Sequence, residues 1–276
     1  MIRELLVGCV RPPERSFVKV DFSKYTAVQI ERDGPVLRVW FDRPDQLNAV
    51  SREVHGELET LFFDIDRDEE TRLAVLSGRG RAFSAGGDLD WLIELNADPD
   101  ASARAIRADR IIQNALLNME TPLVARVNGP AIGLGCSIAL YCDIVVATPR
   151  AVFADPHVSV GLVAGDGGAL IWPQLIGYAQ ARRYLLTGDH ITGEDAERLG
   201  LITECVADGE LDDVVQGWVD KLLAQPDPAL RWTKLSINGG LRAIASSVLD
   251  AAAGFENLTQ ILPVHRAALE RMRNRK

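Results

Sequence analysis

Two glycine-bearing stretches, residues 83–89 and 128–137, carry the residues of this chain that are best suited to chemistry. Each follows an apolar run and leads into a helix-like segment, where the first backbone N–H groups lack partners. Glycine also lets a ligand approach the backbone closely. Two such donors converging on one carbonyl oxygen would stabilise an enolate or a tetrahedral oxyanion. The alternative for each stretch alone is a tight turn between a strand and a helix.

Nucleotide binding is not supported by either stretch or by a later glycine cluster. Gly133 and Gly135 could begin a G-x-G-x-x-G motif, but Ile138 occupies the place of the third glycine. The cluster at 165–168 is not followed by the Lys-Ser/Thr pair of a phosphate-binding loop. The glycines therefore point to an anion cradle or to turns.

The elements around these stretches alternate between strands and helices. Residues 36–41 and 73–78 read as strands, and the second is apolar throughout, as in a strand buried on both faces. Between them a helix that Ser51 can cap carries one apolar stripe. The stripe consists of Val54, Leu58, Leu61, Phe62 and Ile65.

The same order recurs at residues 123–127 and 144–147, which are strand-like runs around a helix from about Gly135 to Tyr141. The alternation predicts an α/β core with parallel strands and right-handed crossovers. Beyond about Asp189 helical patterns dominate. One helix there carries an apolar stripe formed by Val214, Val215, Trp218, Val219, Leu222 and Leu223.

The composition is that of an ordinary globular protein, with 276 residues, 47% of them hydrophobic, and a net charge of −9. This charge argues against general affinity for nucleic acid or anionic membranes. The longest apolar region, residues 131–147, contains glycines and Asp143, so it predicts buried core and no membrane span. The four cysteines are scattered, which favours reduced thiols in a cytoplasmic protein.

Four segments, taken in order, resemble the crotonase superfamily, which comprises the enoyl-CoA hydratase/isomerase proteins. They are Arg43 to Ala49, Phe83 to Leu89, Val127 to Asp143 and Gly161 to Gly168. The resemblance runs in register from about Val28 to Val206. It implies an α/β spiral of repeated ββα turns, followed by a C-terminal helical region that builds a homotrimer or a dimer of trimers. We accordingly divide the chain into an N-terminal extension (1–24), the spiral core (25–205) and the helical region (206–276).

The same resemblance implies the ligand. In that family the thioester carbonyl of an acyl-CoA lies between two backbone N–H groups, which by position would be those of Ala85 and Leu134. Coenzyme A is part of the substrate, so neither a separate cofactor nor a metal ion is implied. The residues expected around the substrate and its CoA arm are Gln46, Leu47, Ala49, Ala82, Phe83, Gly87, Asp88, Leu89 and Gly133.

The chain departs from the hydratase pattern at the positions that should carry acid and base. Hydration needs a water between two carboxylates, and the family's two glutamates are replaced here by Ser137 and His157. Ser137 could position a water or serve only in packing and hydrogen bonding. His157 titrates near neutrality and is a candidate general acid or base, unless Asp155 merely holds it in a polar turn.

Asp166 is the remaining carboxylate candidate. It lies one residue later than the catalytic aspartate of some isomerases and dehalogenases of the superfamily. Its alternative role is to cap the helix that begins near Gly168. The other histidines, His55, His190 and His265, are expected at the surface.

Together these features predict a crotonase-type lyase or isomerase that stabilises a thioester enolate, with hydration of straight-chain enoyl-CoA disfavoured. Two alternatives remain open. One is hydrolysis of a thioester or of a carbon–carbon bond by an enzyme of the same superfamily. The other is a non-catalytic acyl-CoA-binding paralogue.

Overall fold

The computed structural model describes residues 18–274, which form two β-sheets wrapped and connected by helices. The strands are β1 (Val28–Asp33), β2 (Val36–Phe41), β3 (Leu73–Gly78), β4 (Leu123–Val127), β5 (Ala131–Ile132), β6 (Ile144–Ala147), β7 (Val152–Ala154), β8 (Ile191–Thr192) and β9 (Glu204–Cys205). The α-helices are α1 (Arg52–Arg67), α2 (Leu89–Ala97), α3 (Pro99–Asn118), α4 (Leu134–Leu140), α5 (Gly168–Thr187), α6 (Gly193–Leu199), α7 (Leu211–Leu223), α8 (Asp227–Gln260) and α9 (Pro263–Arg273).

The larger sheet has the order β1-β2-β3-β4-β6-β9, and only its β1–β2 pair is antiparallel. The smaller sheet has the order β5-β7-β8, with β5 and β7 parallel. Each turn of the chain thus places one strand in the large sheet, a shorter extended segment beside it, and then a helix. The predicted α/β spiral of ββα turns is confirmed.

Two isolated bridges continue the small sheet across the earlier turns of the spiral. Val50 pairs with Gly87, and Ser84 pairs with Ala131, both in the parallel sense. The backbone segments that follow β2, β3 and β4 therefore lie side by side, each just before a helix. This arrangement brings the two glycine stretches together.

The core has one part on each face of the large sheet. The stripe of α1 packs into the larger part, and the Ser51 side chain accepts a hydrogen bond from the Val54 N–H, as predicted. The opposite face of the sheet is covered by α7, through residues such as Val215 and Val219. All six residues of β3 are consequently buried, as the apolar run predicted.

The C-terminal region is helical, as predicted, but it is not detached from the core. Helix α7 lies on the large sheet, while α8 packs against α3 and α5. Helix α9 packs against α2. The homotrimer or dimer of trimers stays a prediction.

Part of the proposed N-terminal extension is attached to the core. The Val18 N–H donates to the Arg67 carbonyl oxygen, and Phe22 packs against the large hydrophobic core. The rest of the extension, residues 1–17, and with it Cys9, lies outside the described residues. From residue 18 to residue 274, no helix combines the length and apolar character needed to cross a membrane.

Asn48 fixes the turn between β2 and α1 against the first glycine stretch. Its Oδ1 accepts a hydrogen bond from the Arg43 N–H at 2.8 Å. Its Nδ2 donates to the carbonyl oxygens of Arg79 and Ala82 at 2.9 and 2.8 Å. Asn48 is buried and adopts a φ of 57°, which asparagine tolerates better than most residues.

We predict that Asn48→Ala lowers the free energy of unfolding by about 2–4 kcal/mol, because it leaves buried backbone groups without partners and places alanine in the left-handed region. Chemical denaturation measures this loss. Asn114→Ala is the matched control, since Asn114 is exposed on α3, and it should change the free energy of unfolding by less than about 0.5 kcal/mol. Equal effects of the two substitutions would contradict the role given to Asn48.

Candidate active site

A cavity opens beside the paired glycine stretches. Its wall is mostly apolar and is built by α2, α3, α8 and α9. Gly87 and Leu134 border it from the two glycine stretches, and His157 and Asp166 border it from the loops that precede α5. The backbone donors and the candidate acid and base therefore face one space.

The two glycine stretches approach each other without intervening side chains. The Ile132 N–H donates to the Ser84 carbonyl oxygen at 2.9 Å. Gly86 and Gly133 have φ values of 84° and 53°, where residues with a Cβ atom are strained. A Cβ atom on Gly86 would also lie only 3.0 Å from the Ile132 carbonyl oxygen. At these two positions glycine is required by the backbone geometry.

The structure changes one of the two predicted oxyanion donors. The Ala85 N–H donates to the Leu47 carbonyl oxygen at 2.9 Å, so the prediction that it binds a ligand oxygen is wrong. The Gly87 N–H, two residues later, has no hydrogen-bond partner among the described residues. The same is true of the Leu134 N–H, since Leu134 is the first residue of α4. The free pair is therefore Gly87 and Leu134.

His157 stands at the cavity with its ring fixed by Asp155. The imidazole Nδ1 and the Asp155 Oδ1 form a hydrogen bond. The Nε2 lies 3.4 Å from the Asp166 Oδ2. Burial by itself lowers the pKa of His157, but the negative charges of Asp155 and Asp166 outweigh burial and raise this pKa well above its ordinary value. Asp155 thus does hold His157, and Nε2 is left facing the cavity.

Asp166 shares the cavity with His157 through a free carboxylate oxygen. Its Oδ2 is buried without a hydrogen-bond partner among residues 18–274, while its Oδ1 accepts a hydrogen bond from the Ser137 hydroxyl at 3.2 Å. Burial raises the pKa of Asp166 to about 7, and the nearby His157 opposes this shift. The capping alternative is wrong, because Gly167 precedes α5 and no side chain caps it.

Ser137 does not border the cavity. It is 1% exposed, and its hydroxyl is used to hold the Asp166 carboxylate. The structure therefore gives Ser137 a positioning contact with Asp166 and does not bring it to the cavity as a catalytic group.

Glu256 is a site residue that sequence reasoning missed. It reaches the cavity from α8, and its Oε1 lies 3.9 Å from the His157 Nε2. Its Oε2 is buried and has no hydrogen-bond partner within the described part of the chain, and burial raises the pKa of Glu256 well above its ordinary value. Nothing in the local sequence distinguishes it from a surface glutamate of a long helix.

The predicted CoA-lining residues divide into two groups. Gln46 is exposed, and Leu47 and Ala49 are half-buried in the turn after β2. Ala82 and Phe83 lie in the core at 1% and 0% exposure, and their place beside the CoA arm stays a prediction.

Three other predicted lining residues follow the first glycine stretch or precede α4. Asp88 caps α2 and forms an ion pair with Arg43 at 3.1 Å. Leu89 is buried at the start of α2. Gly133 borders the cavity, as Gly87 does.

Two of the three histidines predicted at the surface are buried. His55 packs inside the cavity wall, and His265 binds the Val160 carbonyl oxygen through Nδ1. His190 is exposed, as predicted. The spacing of apolar residues along α1 predicted a surface position for His55. His55 lies on the flank of the apolar stripe, and this flank faces the cavity.

Asp155, His157 and Asp166 also offer three potential metal-ligand atoms within 4.8 Å of one another. The contact between Asp155 and the His157 Nδ1 uses two of the polar atoms in this group. The absence of a metal requirement stays a prediction.

Comparisons with known proteins agree with the geometry. A family model described as "Enoyl-CoA hydratase/isomerase" matches residues 31–260. A short-chain-enoyl-CoA hydratase of Clostridium acetobutylicum is 31% identical over 231 residues, covering 83% of this chain and 86% of the relative.

Two solved structures are similar as well. An enoyl-CoA hydratase/isomerase from Mycobacterium paratuberculosis has a TM-score of 0.86 and 39% identity, over 89% of this chain and 98% of that one. A β-diketone hydrolase from the cyanobacterium Anabaena, bound to (S)-3-oxocyclohexyl acetic acid, has a TM-score of 0.81 and 27% identity, over 87% and 96%.

The raised pKa of Asp166 predicts how stability depends on pH. The folded protein keeps the Asp166 proton up to about pH 7, whereas the unfolded chain releases it near pH 3.8. The free energy of unfolding therefore falls as the pH rises between those two values. Asp166→Asn should therefore be more stable than the wild type at pH 8, by more than about 1 kcal/mol, and similar to it at pH 4.

Urea denaturation at the two pH values measures this difference. Asp189→Asn, at an exposed loop position, is the matched control and should leave the pH dependence unchanged. A variant that is less stable than the wild type by the same amount at both pH values would show that Asp166 is not held as a buried acid.

Proposed function

The chain belongs to the enoyl-CoA hydratase/isomerase family, within the crotonase superfamily, and we propose that it is an enzyme acting on an acyl-CoA thioester held by the Gly87 and Leu134 N–H groups. One observation carries this proposal. Two backbone donors, which have no partners in the described range 18–274, border the same cavity as a histidine whose Nε2 is free of Asp155. Coenzyme A is the handle of the substrate, and no separate cofactor takes part.

The backbone donors supply the electrostatic part of the proposed mechanism. When a proton leaves the carbon next to the thioester carbonyl, negative charge develops on the carbonyl oxygen. Two fixed N–H groups stabilise this oxygen more in the enolate than in the starting thioester, which lowers the barrier. The donors are rigid because Gly87 and Leu134 adjoin the backbone pairing of the two glycine stretches.

The proton is moved by His157 and Asp166. Their facing atoms, Nε2 and Oδ2, are 3.4 Å apart and can share one proton. One member of the pair removes a proton from the α-carbon of a 3-enoyl thioester, the double bond shifts into conjugation, and a proton returns to the γ-carbon. Double-bond isomerisation needs only this single acid/base pair. Asp155 keeps the imidazole in the orientation and tautomer that the transfer requires.

Hydration by the two-glutamate arrangement is disfavoured. Ser137 is turned toward Asp166 and away from the cavity, and His157 occupies the second glutamate position. Asp166 and Glu256 do bring carboxyl groups close to His157, but burial raises the pKa of both. Neither of these two residues occupies the position of a family glutamate, so the two-glutamate arrangement is not reproduced here.

Hydrolysis is the second candidate, and a specific observation favours it. The His157–Asp166 pair can take a proton from a water that attacks a carbonyl carbon, while the N–H groups of Gly87 and Leu134 hold the oxyanion. The bond to the leaving group then breaks, and the pair returns the proton to that group. The 27% identity to a β-diketone hydrolase supports a carbon–carbon bond, and a thioester carbon–sulfur bond is the other possibility.

His157→Ala should lower kcat/KM for the enzyme's best thioester by about 10²–10⁴-fold, because general acid–base catalysis contributes that much. We would assay 3-enoyl-CoA thioesters for a conjugated product, for free CoA and for deuterium uptake from D2O, and a cyclic β-diketone for ring opening. His190→Ala, an exposed histidine, is the control and should keep full activity.

The products separate the candidates. Conjugated product with deuterium uptake supports isomerisation, and free CoA or ring opening supports hydrolysis. Turnover that His157→Ala leaves unchanged would contradict the assigned role. Thioester binding with no turnover in the wild type would favour a binding paralogue instead.

Leu134→Pro tests the backbone donor directly. Proline lacks the N–H but is tolerated at the first position of a helix, so the variant should fold and lose about 10²–10³-fold in kcat. Leu134→Ala keeps the N–H and should stay within about tenfold of the wild type. Thermal melting checks that both variants fold. If alanine and proline cause the same loss, the side chain and not the N–H group matters at position 134.

A further inference from the structure

A second polar pair lies in the wall of the same cavity. The His55 Nε2 and the Asp109 Oδ1 are 2.7 Å apart, and the two residues come from α1 and α3. Both border the cavity, with exposures of 4% and 8%. The proton transfer proposed above does not use this pair.

The surroundings of the pair are apolar. The Trp91 ring lies 4.8 Å from the His55 ring, and Leu95 and Ile106 border the same cavity. A buried ion pair in such a wall gains little stability over apolar residues of similar size, because both charges lose their hydration. Packing alone therefore gives no reason for a histidine and an aspartate here.

The pair keeps unused hydrogen-bonding capacity. The His55 Nδ1 and the Asp109 Oδ2 have no hydrogen-bond partners among residues 18–274. Burial lowers the pKa of His55, but the charge and hydrogen bond of Asp109 outweigh it and raise this pKa. Asp109 takes the Nε2 side of the ring, so Nδ1 is the ring nitrogen left for a ligand: it donates when the imidazole is charged and accepts when the imidazole is neutral.

We propose that the His55–Asp109 pair binds an oxygen atom carried by the acyl group of the substrate, so that the enzyme prefers acyl-CoA thioesters bearing an oxo or hydroxyl group over plain alkyl chains. An oxo oxygen accepts from the Nδ1–H of the charged imidazole, and a hydroxyl group can accept from that N–H or donate to the Nδ1 of the neutral imidazole. A carboxylate fits less well, because Asp109, Asp166 and Glu256 already bring acidic groups to this cavity. The inference rests on the proposed function, which places the acyl group in the cavity.

Binding of inert analogues tests the preference without turnover. We would use saturated acyl-CoA analogues in which a methylene group replaces the thioester sulfur. Matched series would carry a plain chain, an oxo group or a hydroxyl group at each successive carbon beyond the carbonyl. Titration calorimetry on the full chain should show at least one oxygenated analogue binding about tenfold or more tightly than its plain partner.

Two variants assign this preference to the pair. His55→Leu should bring the oxygenated and plain analogues within about twofold of each other, while the plain analogue binds as well as before or better. Asp109→Asn keeps the shape of the wall and should reduce the preference. His190→Leu makes the same change at an exposed position and should retain the full preference.

The outcomes are distinguishable. Tight binding of plain and oxygenated analogues alike would overturn this inference and leave the proposed function standing, as would a preference that survives in both variants. Failure of every analogue to bind the wild type would overturn the proposed function together with this inference. A plain-chain affinity that is unchanged in a folded His55→Leu variant, with the oxygen preference lost, is the supporting result.

Discussion

The site depends on the parallel backbone pairing of Ser84 with Ala131. This pairing places the turn after β3 directly against the turn after β4, and no side chain can stand between them. Gly86 and Gly133 make the approach possible, because both adopt backbone conformations that disfavour a Cβ atom. Ser84 strengthens the arrangement by donating its hydroxyl hydrogen to the Asn48 carbonyl oxygen, which links the preceding turn of the spiral as well. Two free N–H groups and a cavity follow from that packing.

The fold was largely predictable from the sequence because its signals are local and agree with one another. The α1 stripe, the Ser51 cap and the apolar run of β3 can each be recognised from residues that are close together in the sequence. Leu134 was named as a donor from the family resemblance, and its N–H has no partner among residues 18–274 because Leu134 begins α4; its contact with a ligand stays a prediction. The Ala85 N–H is not free, because it is taken by Leu47, a residue from another turn of the spiral. Local sequence does not reveal such a partner.

The same limit applies to the acidic groups of the site. His157 and Asp166 could be singled out because they lie near motif positions, but Glu256 comes from a helix some ninety residues later. The cavity and its immediate surroundings hold the carboxyl groups of Asp109, Asp155, Asp166 and Glu256 against the two imidazoles of His55 and His157. These four buried carboxyl groups outnumber the two imidazoles, and burial therefore keeps protons on some of the carboxyl groups near neutral pH. The arrangement reduces stability and provides groups that exchange protons, as expected where function and stability compete.

A crystal structure with a saturated acyl-CoA analogue, its thioester sulfur replaced by a methylene group, would show whether Gly87 and Leu134 hold the carbonyl oxygen. We expect this oxygen to lie about 2.7–3.2 Å from both the Gly87 and the Leu134 nitrogen atoms, with the adjacent α-carbon facing the His157 Nε2. A carbonyl oxygen bound elsewhere, or an α-carbon turned away from His157, would contradict this expectation.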